Sequence, residues 1–553
     1  MDTEKSLIFH WRSLLWVLIW GLLSPGGLLL PNPGRTQDMP RLEKHGTATR
    51  LLVDGQPFIM LGGELHNSSA SDLDYMAPVW NKLVTLNLNT VLATIAWEQV
   101  EPREGEYDFS LIDGLIERAR LHNLRLVFLW FGSWKNGVSS YVPGWVKVAT
   151  DRFPRALDEA GEPLDVLSPF SQAARDADAR AFTAVLDHIR SEDEDQHTVL
   201  MIQVENEVGI LGASRDYSAR ADSALHRPVP DRLITYLREH KTSLAPELYE
   251  IWQGTGFRAD GTWEDVFGSG PPADEIFMAW QYARYINTVA TAGKKAYPLP
   301  MYVNAWLVQN DRQIPGDYPS GGPVARVHDI WKAGAPALDL LAPDIYLPDF
   351  KTVTRKYVRS DNPLMIPEAR RGAVAARNVF WAIAQHNALC FAPFGIESIE
   401  MEHPLAESYR VLSDLRPLLT EYQGSGNMYG LLQQNGEPGP DINLGEYIAH
   451  VRFTGQDEDQ AGYGLIIKLE TNEFLLAGNY FAVSFTSKAK DNSRAGLLNV
   501  REGRFQNGRW IPGRWLNGDE TAGGTRAQLP PNYGDQYADP GKPRIIRVRV
   551  YQY

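Results

Sequence analysis

Two acidic segments of the chain end apolar, strand-like runs, and their residue types suit proton transfer and nucleophilic attack. The run "MIQVENEVG" ends in Glu205, Asn206 and Glu207, and "LMIPEARRG" carries Glu368 in the same position. A carboxylic acid can protonate a leaving group, and a carboxylate can attack an electrophilic carbon. Each glutamate could equally be a solvated residue or the partner of a nearby arginine. The chemistry therefore depends on whether the fold brings the two segments together.

The sequence pattern from about residue 50 onward predicts a fold that brings the two acidic segments together. Short apolar runs alternate with amphipathic segments such as "DFSLIDGLIERARLHN", which is typical of βα units and a parallel sheet. Eight strands are predicted, at 58–65, 90–97, 125–132, 198–205, 300–307, 338–346, 363–369 and 389–396. Eight strand–helix repeats predict an α/β fold of the (β/α)8 TIM-barrel type, with its largest insertion at about 208–275, over the barrel mouth.

The chain is predicted to contain three regions. The barrel occupies 45–423, and residues 425–553 form a C-terminal all-β, sandwich-like domain, because short strand-like runs alternate there with Gly-, Asn- and Pro-rich turns. Residues 1–36 carry basic residues before an apolar stretch broken by "SPGG", which resembles a secretory signal peptide. We expect an exported protein, secreted or periplasmic. An N-terminal anchor is the alternative, although the unbroken apolar run is shorter than the roughly 20 residues of a membrane span.

Composition narrows the possible partners. The 553 residues include 54 Lys and Arg against 68 Asp and Glu, and a net charge of −14 would repel nucleic acid. The single cysteine, Cys390, lies in an apolar run and is expected to be buried and without a disulfide partner. Because histidines are scattered and no phosphate-binding or serine-nucleophile motif is present, no metal and no cofactor are expected. The oligomeric state stays open.

The barrel gives the two acidic segments a common location. The C-terminal ends of barrel strands form the mouth where active sites are built, so Glu207 and Glu368 should face each other there. Cleavage of a glycosidic bond with retention needs an acid and a nucleophilic carboxylate about 5–5.5 Å apart. The pair predicts a glycosidase with a carbohydrate substrate. Spacing alone does not separate Glu205 from Glu207, because alternation along a strand puts both on one face.

Three motifs resemble known glycosidases. "QVENEVG" resembles the acid/base motif of family 35 glycoside hydrolases, the β-galactosidases of clan A, and "GGELHNSS" (62–69) is similar to that family's first-strand motif. The segment "AWEQVEPREGEYDF" (96–109) resembles both family 35 and family 42. The resemblance covers about 45–423 and implies a retaining β-galactosidase-like enzyme that removes terminal β-galactosyl residues from oligo- or polysaccharides.

The resemblance also implies roles for individual residues. Glu207 would be the general acid/base and Glu368 the nucleophile. Asn206 would hold the sugar 2-hydroxyl, and Tyr346, after the sixth strand, would donate a hydrogen bond to the nucleophile. Glu205 would then be a structural or sugar-contacting neighbour.

Five further side chains near strand ends are candidates for sugar binding: Glu64, His66, Trp97, Asn136 and Trp306. An aromatic face can stack on a pyranose ring, but each tryptophan could equally belong to the core, and His66 could be a packing residue. Asn136 lies in "WFGSWKNGVSS", where the family 35 third-strand motif is not recognisable, so galactose is less well supported than hydrolysis.

Two alternatives remain open at this point. The protein could be another clan A exo-glycosidase, family 42-like or acting on a different sugar. It could also be a catalytically silent carbohydrate-binding protein on the same fold, although the presence of both carboxylates argues against this.

Overall fold

A barrel of eight parallel strands forms the centre of the protein, as predicted. The computed structural model describes residues 39–455, 457–489, 493–506, 508–530 and 541–553, so the proposed signal segment lies outside the described residues. The barrel strands are Met60–Glu64, Thr90–Ala96, Arg125–Phe131, Val199–Val204, Met301–Trp306, Leu340–Asp344, Ile366–Ala369 and Cys390–Pro393. Their order runs from the sixth strand back to the first and on to the eighth and seventh. A bridge between Ile345 and Ala369 closes the ring.

The strands are continuous apolar runs because both of their faces are buried. Eight helices surround them: Val79–Thr85, Ser110–Leu121, Gln172–Asp193, Pro271–Ala296, His328–Gly334, Phe350–Tyr357, Ala373–His386 and Pro404–Tyr422. Short helices span Leu73–Met76, Trp97–Val100 and Gly144–Val148, and a small hairpin pairs Arg155–Leu157 with Pro163–Leu167. Cys390 is fully buried, as expected.

A three-stranded antiparallel sheet, which the sequence analysis did not anticipate, precedes the barrel. Its strands are Arg41–His45, Ala48–Val53 and Gln56–Phe58. Leu51 and Val53 join a core cluster with Met60 and other barrel residues. Asp54 bonds His197, just before the fourth strand, at 2.7 Å. The sheet therefore closes the N-terminal end of the barrel, opposite the mouth.

The insertion after the fourth strand contains four short helices: Ala219–Leu225, Asp231–Glu239, Pro246–Gly254 and Trp263–Phe267. The second contacts the outer helix His328–Gly334, and the fourth contacts Pro271–Ala296. Its first residues reach the loop after the fifth strand, where Ile210 pairs with Ser320. The helices of the insertion therefore pack against the outer layer of the barrel, rather than over its mouth as expected.

The C-terminal all-β region is a two-layer sandwich, as predicted. Its six-stranded sheet has the order Met428–Leu432, Tyr463–Lys468, Glu473–Asn479, Arg544–Gln552, Ala495–Gln506 and Arg509–Leu516. Its four-stranded sheet has the order Asp441–Asn443, Tyr447–Phe453, Phe481–Ser487 and Arg526–Leu529. An apolar cluster fills the space between the sheets. The first two strands of the larger sheet pack on the barrel helix Ala373–His386.

Candidate active site

The fourth strand ends at Val204, and the backbone then turns sharply. Glu205 and Glu207 adopt the left-handed region with φ of 64° and 43°. The alternation of an extended strand stops here, so the two side chains do not share a face. Glu205 accepts hydrogen bonds from the backbone N–H groups of Ser133 and Trp134, whereas Glu207 lines the mouth cavity. The expectation of one shared face is therefore wrong, because it assumed an extended backbone through residue 207.

Glu207 is held in a way that suits a proton donor. Its side chain is buried, and its backbone N–H donates to Asn304 Oδ1 at 2.9 Å. The Asn136 amide donates to its carboxyl group. Burial, followed by the negative charge of Glu368, raises the pKa of Glu207 to about 8. The group therefore holds its proton near neutral pH.

Glu368 has an environment that stabilises a carboxylate. The Tyr346 hydroxyl donates to Oε2 at 2.8 Å. The amides of Asn206 and Asn304 donate to Oε1 at 3.4 and 3.3 Å. Three donors therefore converge on this one carboxyl group. The arrangement suits a nucleophile.

The separation of the two carboxyl groups agrees with a retaining mechanism. One carboxylate oxygen from each of Glu207, Glu368 and Asp344 lies within 4.8 Å of the others. Retaining glycosidases place the two groups about 5–5.5 Å apart, and inverting ones about 6.5–9.5 Å apart. The observed spacing of the oxygens is closer to the retaining value than to the inverting one.

Asp344 is a third carboxyl group in the same site. It ends the sixth strand, is buried, and accepts a hydrogen bond from Asn304 Nδ2 at 2.8 Å. Burial and the charge of Glu368 raise its pKa well above the usual range. Three carboxylates could ligate a hard cation.

The pair opens into a cavity of about 510 Å³, within the usual range for small-molecule sites. Its walls include Asn67, Lys135, Asn136, Trp306, Leu307, Gln309, Tyr346 and Phe394. Asn136 and Trp306 are therefore on the cavity, where the sequence analysis expected sugar contacts. The Lys135 side chain is largely buried, yet its ammonium group has no ion pair among the described residues.

Two predicted sugar-binding residues lie near the mouth but are not on the cavity wall. Glu64 is 1% exposed, and both carboxyl oxygens are inaccessible and without a hydrogen-bond partner among the described residues. Burial raises its pKa well above the usual range. His66 bonds Glu397 through Nδ1 at 3.0 Å and Arg371 through Nε2 at 3.1 Å. Its ring nitrogens are therefore engaged by protein groups, which agrees with the alternative of a packing residue.

Trp97 is the clearest correction to the sequence-based site. It begins a short helix, is fully buried, and donates to Glu101 at 2.7 Å through Nε1. Its ring packs against Trp130 and Trp145. Trp97 is therefore a core residue and not a sugar-binding one, because the strand stops at Ala96 and the following helix turns the indole away from the mouth.

Three site residues were missed: Lys135, Asn304 and Asp344. Two of them had a usable signal in the sequence. Asn304 lies two residues before Trp306, and Asp344 lies two residues before Tyr346, so alternation places each on the inward face of its strand. Lys135 is adjacent to Asn136 in a turn, where no periodic pattern identifies the inward residue.

Comparison with known proteins finds similarity to glycosidases. The β-galactosidase model of glycoside hydrolase family 42 matches residues 75–241, and a domain of unknown function (DUF5597) matches 405–528. A β-galactosidase from Xanthomonas manihotis is 27% identical over 206 residues, which cover 35% of this chain and 30% of that protein. The chain thus resembles clan A glycoside hydrolases, with similarity to family 42. The family 35 resemblance rests on the motifs alone.

Several solved structures resemble the chain. The β-galactosidase from Bacillus circulans sp. alkalophilus has a TM-score of 0.44 at 16% identity, over 65% of this chain and 56% of that one. The catalytic domain of a β-amylase from Paenibacillus polymyxa has a TM-score of 0.46 at 13% identity, over 64% of this chain and 98% of that one.

Across the described part of the chain, no helix is long and apolar enough to span a membrane.

Proposed function

We propose that the protein is a retaining β-glycosidase, β-galactosidase-like, that removes terminal β-galactosyl residues from oligo- or polysaccharides. The observation that carries the proposal is the pair Glu207 and Glu368. Their oxygens lie within 4.8 Å across the barrel mouth, one carboxyl holding a proton and the other surrounded by donors.

The reaction follows from this arrangement in two displacements. In the first, Glu368 attacks the anomeric carbon while Glu207 protonates the glycosidic oxygen, so the carbon–oxygen bond breaks and a glycosyl ester forms. In the second, the Glu207 carboxylate takes a proton from water, whose oxygen attacks the same carbon and releases Glu368. Asn206, whose amide donates to Glu368 Oε1, would bind the 2-hydroxyl beside the reacting carbon, as the family resemblance implies.

The choice of galactose rests on resemblance. The family 42 match and the relative named as a β-galactosidase support it, as do the family 35 motifs at the first and fourth strands. The sugar-contacting side chains would be Asn136, Trp306 and the ammonium group of Lys135, which all line the cavity. Another clan A exo-glycosidase specificity is the alternative that a substrate panel separates.

Proton NMR of the first-formed product tests reaction, sugar and stereochemistry together. Nitrophenyl β-galactoside should be hydrolysed faster than the matching glucoside, mannoside and xyloside, and the first product should be the β-anomer. A first product of α configuration would contradict the two-step mechanism. Faster cleavage of another glycoside with retention would keep the mechanism and replace the sugar. Binding without hydrolysis of any glycoside would favour a silent carbohydrate-binding protein.

We also propose that the protein is exported, with residues 1–36 as signal or anchor, 45–423 as the catalytic region and 425–553 as an associated β domain. The basic and apolar composition of the first segment supports export. N-terminal sequencing of the protein recovered outside the cytoplasm should begin after the apolar run. Recovery of the uncut chain from the cytoplasm alone would contradict the proposal.

A further inference from the structure

A second pair of carboxyl groups lies behind the catalytic mouth. Asp178, on the outer helix Gln172–Asp193, and Glu205, at the end of the fourth strand, are both 0% exposed. Both bond Ser133, Glu205 through the backbone N–H and Asp178 through the hydroxyl, and they hydrogen-bond each other. Two carboxyl groups form such a bond only when one of them carries a proton, and burial raises the pKa of both. The pair therefore holds a shared proton.

All oxygens of this pair are engaged by the third strand and its neighbours. Glu205 accepts from the Ser133 N–H at 3.0 Å and from the Trp134 N–H at 2.8 Å. Asp178 accepts from Trp130 Nε1 at 2.9 Å and from the Ser133 hydroxyl at 2.8 Å. The pair thus fixes Ser133 and Trp134, the second and third residues after the third strand, through backbone and side-chain bonds.

Gly132 makes this contact possible. A Cβ atom at that position would lie 2.6 Å from Glu205 Oε1 and 2.3 Å from Trp130 Nε1. These distances are too short for any side chain. The absence of a side chain at residue 132 therefore lets the Glu205 carboxyl reach the N–H groups of the next two residues.

The segment fixed by the pair, residues 133–138, is the one that contacts the general acid. Asn136 donates to the Glu207 carboxyl group, and the Gly137 N–H donates to the Glu207 carbonyl at 3.0 Å. The Trp134 carbonyl accepts from the Asn206 N–H at 3.3 Å. The segment is therefore bonded to the buried pair at one end and to the catalytic residues at the other.

We propose that Asp178 and Glu205 are positioning residues, whose hydrogen bonds to Ser133 and Trp134 hold segment 133–138 so that Asn136 orients the Glu207 carboxyl toward the leaving oxygen. This rests on the proposed glycosidase function. Glu207 must place its proton within hydrogen-bond reach of that oxygen, and a displacement of about 1 Å can cost about 100-fold in rate. Neither positioning residue touches the cavity.

The environment of the pair contains one further titratable group. Tyr285, from the helix Pro271–Ala296, bonds Asp178 at 3.2 Å and the Ser133 hydroxyl at 2.7 Å, and its pKa is raised well above the usual range by burial. The third strand contributes tryptophan, serine and backbone N–H groups. No cation pairs with Asp178 or Glu205 among the described residues, so loss of the shared proton would leave two adjacent buried negative charges.

The test uses the leaving-group dependence of kcat/KM for aryl glycosides of the sugar the enzyme prefers. Poor leaving groups need protonation by Glu207, whereas good ones such as dinitrophenolate need it far less. Glu205→Gln should lower kcat/KM about 100-fold for phenyl glycoside and less than about fivefold for dinitrophenyl glycoside. Gly132→Ala should give the same signature without removing a carboxyl group. Asp178→Asn should lose less, because Glu205 keeps its bonds to the Ser133 and Trp134 N–H groups.

Asp193→Asn is the matched control. Asp193 is a buried carboxylate at the other end of the same helix, where it bonds Arg120 and the Val199 N–H. Its replacement should lower stability without changing the ratio between the two leaving groups. Equal loss for both leaving groups in folded Glu205→Gln and Gly132→Ala would overturn the proposal, as would no loss.

Hydrogen exchange separates this proposal from the proposed function. The Ser133 and Trp134 amides should exchange faster in Glu205→Gln than in Asp193→Asn, whether or not any glycoside is cleaved. A wild-type protein without glycosidase activity would contradict the proposed function and, with it, the role of Asp178 and Glu205 in catalysis. Unchanged exchange in an active enzyme would contradict the positioning role alone.

Discussion

The ends of the fourth and seventh barrel strands carry the same type of side chain in opposite environments. Glu207 is buried, receives one side-chain amide, and has its pKa raised to about 8. Glu368 receives a hydroxyl and two amides. Burial and the charge of Glu368 raise the pKa of Glu207, so the surroundings of a glutamate, and not its residue type, suit it to act as the acid.

The backbone conformation that positions Glu207 also differs from the one that positions Glu368. The seventh strand stays in the sheet through Glu368, whose carbonyl accepts from the Ile345 N–H at 2.8 Å. The fourth strand has already ended, and Glu207 lies in a turn where Glu205 and Glu207 itself have positive φ, which costs roughly 1–2 kcal/mol each. The nucleophile is thus placed by regular pleating, whereas the acid depends on a turn held by surrounding bonds.

Replacing the nucleophile should have the largest effect. Glu368→Ala should lower kcat on the order of 10⁴-fold or more, because the glycosyl ester cannot form. Sodium azide should restore cleavage of a dinitrophenyl β-glycoside, with an α-glycosyl azide as product, since azide fills the space of the carboxylate. A β-azide from this variant, or an α-azide from Glu207→Ala, would mean that the two roles are exchanged.

Replacing the acid should cost less and depend on the leaving group. Glu207→Ala should lower kcat/KM about 10²–10⁴-fold for a phenyl glycoside and much less for a dinitrophenyl glycoside, because protonation matters only for poor leaving groups. A series of aryl glycosides measures the dependence. An equal loss of kcat/KM for all aryl glycosides in the series would contradict the assignment of Glu207 as the acid.

The sequence predicted the elements of this site better than the details of its turns. Each of the eight predicted strand segments contains an observed strand, because strands buried on both faces are continuous apolar runs. The segments also located the strand ends, and so brought Glu207 and Glu368 to one mouth. The early end of the fourth strand at Val204 was not visible, since "QVENE" fits an extended strand equally well.

The errors share one physical origin. Trp97 was expected at the mouth, but the chain enters a helix at that residue and the indole turns into the core. Lys135 lies in a turn set by the Asp178–Glu205 pair, which depends on contacts distant in sequence. Periodicity describes regular elements, so side chains just beyond their ends are decided by tertiary bonds.

Removing one donor from the nucleophile should have an intermediate effect. Tyr346→Phe should lower kcat about 10–100-fold, since a hydrogen bond to a charged group contributes about 1.5–3 kcal/mol. Tyr357→Phe is the matched control, because its hydroxyl bonds the Pro323 carbonyl in the barrel wall. It should change thermal stability but not kcat. Equal kcat values for the two variants would show that the three donors around Glu368 do not set its reactivity.

The smallest expected effect is a shift in the alkaline limb of the pH profile of kcat/KM when Lys135 is replaced. With a pKa of about 8, Glu207 loses its catalytic proton above that pH, so kcat/KM should fall there. The positive charge of Lys135 favours the Glu207 carboxylate, so its removal in Lys135→Met should raise the pKa and move the limb to higher pH. Lys147→Met removes an ammonium group paired with Glu98 at 2.8 Å, away from the cavity, and should leave the limb in place. A shift to lower pH in Lys135→Met would contradict the electrostatic account of the strand-four end.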